Sequence, residues 1–364
     1  MHQVRVDVES AGGGYPILIG EGLADRAASL LDQWRVGPRR LVVSNPVVWR
    51  FHGERVAAAL PGAETVLIPD GERHKHLASV ARLYDAFVRL GADRGSVVVA
   101  VGGGVIGDMA GFAAATFLRG LALVQVPTTL LAQVDASVGG KVGVNLTAGK
   151  NLVGAFHPPR LVVTDPLFLR TLPRREFRAG MYEVIKYAVA CSADLFSLLD
   201  REAARLKDPT AAVVGTIIAD CCRIKAAIVS ADERESGARR VLNFGHTAGH
   251  AIEALTGYRR FRHGEAVAWG ILVATQVAAG RGMISGAEMN AITSLVMRLG
   301  PLPPVADLPA PGILEHVRRD KKVVDGSLHF VLPAGIGSAR IVDDVREGEL
   351  IEALARVGVG ARRG

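Results

Sequence analysis

Through the first half of the chain, short runs of β-branched and apolar residues alternate with longer stretches at helical spacing: VRVDVE, YPILIG, RRLVVSN, TVLIPD, SVVVAVGGG, LALVQVPTT and RLVVTDP. An uninterrupted run such as Val97 to Val101 is what a strand covered on both faces looks like, so the pattern predicts a parallel sheet between helices. The first two runs, joined through Ala11-Gly12-Gly13-Gly14, predict a hairpin on its edge. After Pro166 the period lengthens. FRAGMYEVIKYAVA, TAAVVGTIIADCCRIKAAIVSAD, TAGHAIEALTG, EAVAWGILVATQVAAG and AEMNAITSLVMRLG predict a mostly helical second half, interrupted by the strands LHFVLP and SARIVDDV and closed by a helix from Glu347. The expected fold class is therefore α/β: a Rossmann-like parallel-sheet domain over residues 1–168 and a mostly α-helical, metal-binding domain over residues 169–364. Pro166 and Pro173 bracket the linker. No internal repeat is visible.

Composition agrees with this and narrows the function. At 364 residues the chain exceeds the size of most single cores, so two domains sharing a cleft are expected. Forty-two glycines against 5% aromatic residues favour an α/β protein rich in tight turns over an aromatic-lined binding module. The formal charge of +7 suits an anionic partner, but its arginine pairs are scattered and no basic stripe is interleaved with aromatics, so nucleic acid is disfavoured. The cysteines Cys191, Cys221 and Cys222 do not make a disulfide framework. The alternating MHQVRVDVES is no signal segment, and the apolar stretches fall short of a membrane span, so a cytoplasmic protein with no membrane partner is expected.

Two constellations carry chemistry. The run from Ser96 to Val101 leads into Gly102-Gly103-Gly104-Val105-Ile106-Gly107-Asp108, a turn without side chains that opens a helix; its exposed N–H groups and the helix dipole suit a pyrophosphate. The spacing satisfies G-x-G-x-x-G, yet no suitable carboxylate follows about 20 residues on, so this is not the ordinary dinucleotide fingerprint. Acidic residues instead precede the turn, in Asp70-Gly71-Glu72-Arg73-His74-Lys75, where Glu72 could hold ribose hydroxyls and Lys75 could steady charge.

In the second half, Glu183 and Lys186 share a helix face, as do His246 and His250, and His263 opens a later helix. One carboxylate with two or three histidines suits a borderline metal such as zinc, and the glycines flanking the histidines would admit a ligand. The metalloprotease motif H-E-x-x-H is absent. Lys141, Lys150, Lys186, Lys225, Arg239 and the pair Lys321-Lys322, several of them beside glycines or polar residues, point as a set to a substrate bearing both phosphate and carboxylate.

As a group, GGGVIGDMAGFAAATFLRG, VPTTLLAQVDASVGGKVGVNL, GKNLVGAFHPP, GMYEVIKYA, LNFGHTAGHAIE, HGEAVAWG and DKK resemble the 3-dehydroquinate synthase family, in order from about Asp70 to Lys322. The resemblance implies NAD and a divalent metal, zinc or cobalt, as cofactors, with Glu183, His246 and His263 as metal ligands and His250 off the metal. It places Asp135, Lys141, Asn151, Lys186, Lys225, Arg239, Asn243, His250 and one lysine of Lys321-Lys322 around a phosphorylated sugar acid. Asp70, Glu72, Lys75, Gly103, Gly104, Asp108, Thr128 and Thr129, with Lys141 and Lys150, fall on the NAD side. A homodimer is implied, with Arg119 reaching the neighbouring subunit's site.

The reaction implied is a carbon–oxygen lyase step: a secondary alcohol is oxidised by NAD, phosphate is eliminated, hydride returns, and an intramolecular aldol step closes a carbocycle. Lys225 and Arg239 would clamp the substrate carboxylate, and Lys141, Asn151, Asn243 and His250 the phosphate. Other sugar phosphate cyclases and metal- and NAD-dependent polyol dehydrogenases share these parts and stand as the alternatives. An NAD-binding regulatory protein would give no reason for metal ligands beside anion-binding lysines.

Overall fold

The computed structural model describes residues 3–10, 13–235, 237–323 and 329–361. The chain packs as two compact units. The first comprises Met1–Pro173 and Ala212–Arg234, the second Arg174–Ala211 and Glu235–Gly364. Neither is a continuous piece of sequence.

The first unit begins with strands β1 (Val4–Val8) and β2 (Tyr15–Ile19), then α1 (Ala27–Gln33), β3 (Arg40–Ser44), α2 (Pro46–Ala59), β4 (Glu64–Leu67), α3 (Leu77–Arg89), β5 (Val97–Gly102) and α4 (Gly104–Thr116). It continues through β6 (Ala122–Pro127), the hairpin β7 (Lys141–Leu146) and β8 (Gly149–Phe156), and β9 (Leu161–Thr164). Among the described residues seven strands form one sheet in the order β1-β2-β9-β6-β5-β3-β4. All neighbours are parallel except β1 on β2, the hairpin that the first two runs predict. Alternate residues of β5 serve opposite faces. Val97, Val99 and Val101 pack with Leu30, Leu31 and Val56, whereas Val98 and Ala100 pack with Leu83, Phe87 and Met109. Apolar on every position, the strand is covered twice.

The second unit opens with α5 (Arg174–Cys191) and α6 (Ala193–Glu202). The next helix, α7 (Val213–Ala231), belongs to the first unit. Helical spacing alone had grouped it with the second half. Its buried face, including Ile217, Ile218, Cys221, Cys222 and Val229, packs on β1 and β2, and the periodicity of a helix gives its apolar face without naming the partner. Then follow α8 (His246–Leu255), α9 (His263–Gly280), α10 (Gly286–Arg298), α11 (Ala310–Val323), the antiparallel pair β10 (Phe330–Pro333) and β11 (Ala339–Val342), and α12 (Glu347–Arg356). Helix α9 is the hub, touching α5, α8, α10, α12 and β10. The three cysteines are unbridged, and among the described residues no helix is long and apolar enough to cross a membrane.

Candidate active site

Strand order reverses between β3 and β5: the chain steps outward to β4, then jumps back across β3 and proceeds the other way. Such a switch point leaves a crevice beyond the carboxyl ends of the strands. The glycine turn stands there. Gly103 is the N-terminal cap residue of α4, and no side chain caps that helix. A Cβ on Gly103 would come within 2.9 Å of Thr129 Cγ2, and one on Gly104 within 3.2 Å of the Ala136 Cβ. Only bare backbone fits. Thr128 donates its N–H to the Gly102 carbonyl at 2.9 Å, and its hydroxyl is buried with no hydrogen-bond partner among the described residues. An orphaned hydroxyl beside uncapped helix N–H groups is what an anionic dinucleotide would complete.

The loop after β4 closes on the same place. Asp70 accepts from Asn45 Nδ2 at 2.8 Å, and Asn45 in turn caps α2 by accepting from Val48 N–H. Lys75, almost fully buried, donates to Asp108 at 2.5 Å and also to Asn151. Lys75 thus joins the loop to Asp108 at the start of α4, while Asp70 is held by Asn45. Sequence reading missed Asn45. Its signal was local, an asparagine followed by proline at a strand-to-helix junction.

Beyond β6, residues Ala132–Ala136 form a π-helical turn, a rare geometry frequent at functional sites. It carries Asp135, whose carbonyl accepts from Lys225 Nζ at 2.7 Å and whose carboxylate pairs with the same ammonium. Lys225 reaches it from α7, which is why that helix matters to the first unit. Lys141 begins β7 exposed, and Lys150 and Asn151 lie on β8. Arg119 sits in a turn where Leu118, Arg119 and Gly120 have φ of 50°, 69° and 127°; two successive non-glycine residues in the left-handed region mark stored strain.

In the second unit, Glu183 lies on α5 with 0% exposure. Lys186 Nζ stands 2.7 Å from its Oε2, His263 Nε2 3.3 Å and His246 Nε2 3.7 Å from its Oε1, yet neither oxygen has a hydrogen bond of proper alignment among the described residues. Both imidazoles present Nε2 to Glu183 because their Nδ1 atoms are engaged elsewhere. His246 Nδ1 faces the Phe244 carbonyl at 3.1 Å, and His263 Nδ1 faces the buried Glu253 carboxylate at 3.1 Å. Hydrogen bonds of this kind fix which nitrogen is left to ligate.

Charge follows the geometry. Burial works against ionising Glu183, but the positive neighbours, Lys186 foremost, outweigh it and hold the carboxyl well below its usual range. Burial dominates at His246, lowering its pKa to about 4. Burial also opposes the charge on His263, but Glu183 and Glu253 on its two sides prevail and raise it to about 10. The two carboxylates call for positive charge, which a ring proton or a divalent cation supplies. The donor set fits a metal.

His250, one turn beyond His246 and exposed, completes an alternative set: ring nitrogens of His246, His250 and His263 lie within 4.8 Å of one another. The buried anion and its facing Nε2 atoms favour Glu183 as the third ligand. The flanking glycines have another use than the ligand access expected of them. A Cβ on Gly270 would sit 1.8 Å from the Gly245 carbonyl oxygen, on Gly249 3.0 Å from the Ala266 carbonyl oxygen, and on Gly264 1.9 Å from the Ala179 carbonyl oxygen. They let α8, α9 and α5 touch at backbone distance, which draws the ligands together. At the start of α9 the buried Glu265 accepts from Arg262 N–H and from Arg175, both nitrogens of which lie at 2.7 Å, and so anchors the turn that begins with His263. Asn243, exposed, donates to Glu235 at 2.9 Å, and Arg239 is buried in the same 3-10 turn. Lys321 and Lys322 end α11, and their side chains lie outside the described residues. Sequence reading also missed Glu253.

Among solved structures this is the fold of the sugar phosphate cyclases. 2-epi-5-epi-valiolone synthase from Streptomyces hygroscopicus subsp. jinggangensis 5008, with NAD+ and Zn2+ bound, superposes with a TM-score of 0.87 at 31% identity, covering 97% of this chain and 98% of that one. A 2-deoxy-scyllo-inosose synthase, complexed with carbaglucose-6-phosphate, NAD+ and Co2+, follows at 0.84 and 28%, covering 97% and 99%. Residues 65–179 match the 3-dehydroquinate synthase N-terminal family and residues 180–323 its C-terminal counterpart. The 3-dehydroquinate synthase of Picosynechococcus sp. PCC 7002 is 47% identical over 357 residues, 96% of this chain and 97% of its own length. That of Gloeobacter violaceus is 48% identical over 339 residues, 92% and 94%. The chain belongs to the 3-dehydroquinate synthase family.

Proposed function

We propose that this chain is a 3-dehydroquinate synthase, a phosphate-eliminating cyclase that converts 3-deoxy-D-arabino-heptulosonate 7-phosphate into 3-dehydroquinate and phosphate with NAD and a divalent metal, zinc or cobalt. The observation that carries the reading is the Glu183 carboxylate, wholly buried, unsatisfied by aligned hydrogen bonds and faced by two Nε2 atoms. When bound, NAD supplies reversible hydride transfer and the metal polarises the reacting oxygen. Glu183, His246 and His263 would hold the metal. The uncapped turn at Gly103 and Gly104, with Thr128, Thr129, Asp70, Glu72, Lys75 and Asp108, would hold the dinucleotide.

The other residues bind, orient and move protons. Lys186, on the face of α5 that carries Glu183, would orient a substrate hydroxyl, and in the first unit Asp135, steadied by Lys225, would orient another. Lys141, Lys150 and Asn151 in the first unit and Arg239, Asn243 and His250 in the second would meet the substrate's anionic groups, each charge-assisted contact contributing about 1.5–3 kcal/mol. The departing phosphate would itself take the proton made acidic by the neighbouring ketone, with His250 relaying it onward. Arg119 would serve the second copy in a homodimer.

The test separates cyclase from dehydrogenase. With the heptulosonate phosphate as substrate, phosphate should be released in many-fold excess over the NAD supplied, while absorbance of the reduced nicotinamide stays at baseline. Reduced cofactor accumulating one-for-one with substrate loss would overturn the reading in favour of a polyol dehydrogenase.

A further inference from the structure

The hairpin β7-β8 is not regular. Its register runs Val144 to Val153 and then Leu146 to Gly149, so Asn145 alone stands opposite Lys150, Asn151 and Leu152. At this bulge Asn151 takes a φ of 56°. A bulge disrupts the ladder locally and re-aims the side chains on the longer strand. The Asn145 side chain repairs the ladder and reaches beyond it. Its Oδ1 accepts from Asn151 N–H at 2.9 Å, its Nδ2 donates to Glu72 Oε1 at 2.7 Å, and its backbone N–H donates to the Lys75 carbonyl at 2.8 Å. Lys75 Nζ closes the ring by donating to Asn151 Oδ1.

One amide group therefore joins two sets of residues with different assignments. Glu72 and Lys75 belong to the dinucleotide loop, and Asn151 follows Lys150 on the anion-binding strand. We infer that Asn145 is a positioning residue that fixes Glu72 for the dinucleotide with its amide donor and Asn151 for the substrate's phosphate with its amide acceptor. The inference rests on the functional reading above. Its two halves are separable because the two ends of the amide do different jobs.

The test titrates NAD+, and separately inorganic phosphate, calorimetrically into the purified full-length protein. Asn145→Asp keeps an acceptor for Asn151 N–H but replaces the donor to Glu72 by a carboxylate. It should weaken NAD+ binding about tenfold and leave phosphate affinity within about twofold. Asn145→Ala removes both contacts and should weaken both ligands; if it does not fold, the Asp variant, which keeps the shape, carries the test. Adding Glu72→Gln to Asn145→Asp restores the contact with donor and acceptor exchanged, and NAD+ affinity should return to within about threefold of that of Glu72→Gln alone. Unchanged NAD+ affinity in Asn145→Asp, or equal loss of both ligands with no rescue, would overturn the inference. No saturable NAD+ binding by the unaltered protein would instead strike at the functional reading itself.

Discussion

Glu253 offers a sharp test of the metal site because its carboxylate meets the Nδ1 side of a proposed ligand, away from the Nε2 that faces Glu183. It is 3% exposed, and its Oε2 lies 3.1 Å from His263 Nδ1, so the contact is little screened by water. Replacing Glu253 by glutamine keeps an acceptor of similar shape and removes the charge. A hydrogen bond to a charged group contributes about 1.5–3 kcal/mol and a neutral one about 0.5–1.5 kcal/mol, so the substitution weakens the contact by about 1–1.5 kcal/mol. That corresponds to about a tenfold loss of metal affinity. Glu253→Ala also leaves His263 Nδ1 without that acceptor, and should approach the hundredfold end of the range for partners behind a metal ligand. Competition for zinc between the protein and a chromophoric chelator measures both. Affinities within twofold of the unaltered protein would refute the reasoning; a loss in Glu253→Gln as large as in Glu183→Ala would show that Glu253 itself ligates the ion.

The same assay decides between the two donor sets. Glu183→Ala should lose metal, whereas His250→Ala should retain it and lose turnover; equal metal loss in both would make His250 a ligand. A second expectation concerns acid stability. Burial lowers the pKa of His52 and of His157, whose Nε2 donates to the Leu121 carbonyl at 2.8 Å. Both rings therefore take up a proton less readily when folded, and the unfolded chain binds more protons below its ordinary histidine pKa of about 6.5, so stability falls as pH drops through that value. Urea melts at pH 7.5 and 5.5 should show a smaller pH difference for His157→Gln than for the unaltered protein. An identical difference would mean that this ring does not contribute.

Local features were legible in the sequence, and long-range ones were not. Val97 to Val101 declares a strand buried on both faces, and the glycine turn after it declares a helix start, because both signals lie within a few residues. The pair His246 and His250 is likewise set by one helical turn. Glu183 and His263 are 80 positions apart, and residue type could suggest them as a metal set but could not show the convergence that their 3.3 Å approach displays. Asn145 and Glu253 escaped for a related reason. An asparagine in a polar hairpin and a glutamate on an amphipathic helix look like solvated residues until the fold brings Glu72 to one and His263 to the other. The packing role of the glycines near the histidines was not legible, since a glycine's nearest cross-helix carbonyl is invisible in one dimension.

The placement of α7 bears on how the protein is made. The partner that covers β1 and β2 is encoded after α5 and α6, which belong to the other unit. During synthesis the opening hairpin, complete by Ile19, must wait until translation has passed Ala231 before that face is covered. From Pro173 onward the delay is 58 residues, roughly 3–12 s at ordinary elongation rates. A ribosome-bound or proteolysed fragment ending at Pro173 would carry an apolar surface where α7 belongs, together with an Asp135 deprived of Lys225. Such a fragment should bind chaperones and clump. Cutting the gene after Pro173 would separate the first unit from part of its own core and leave α7 without its partner in the other product.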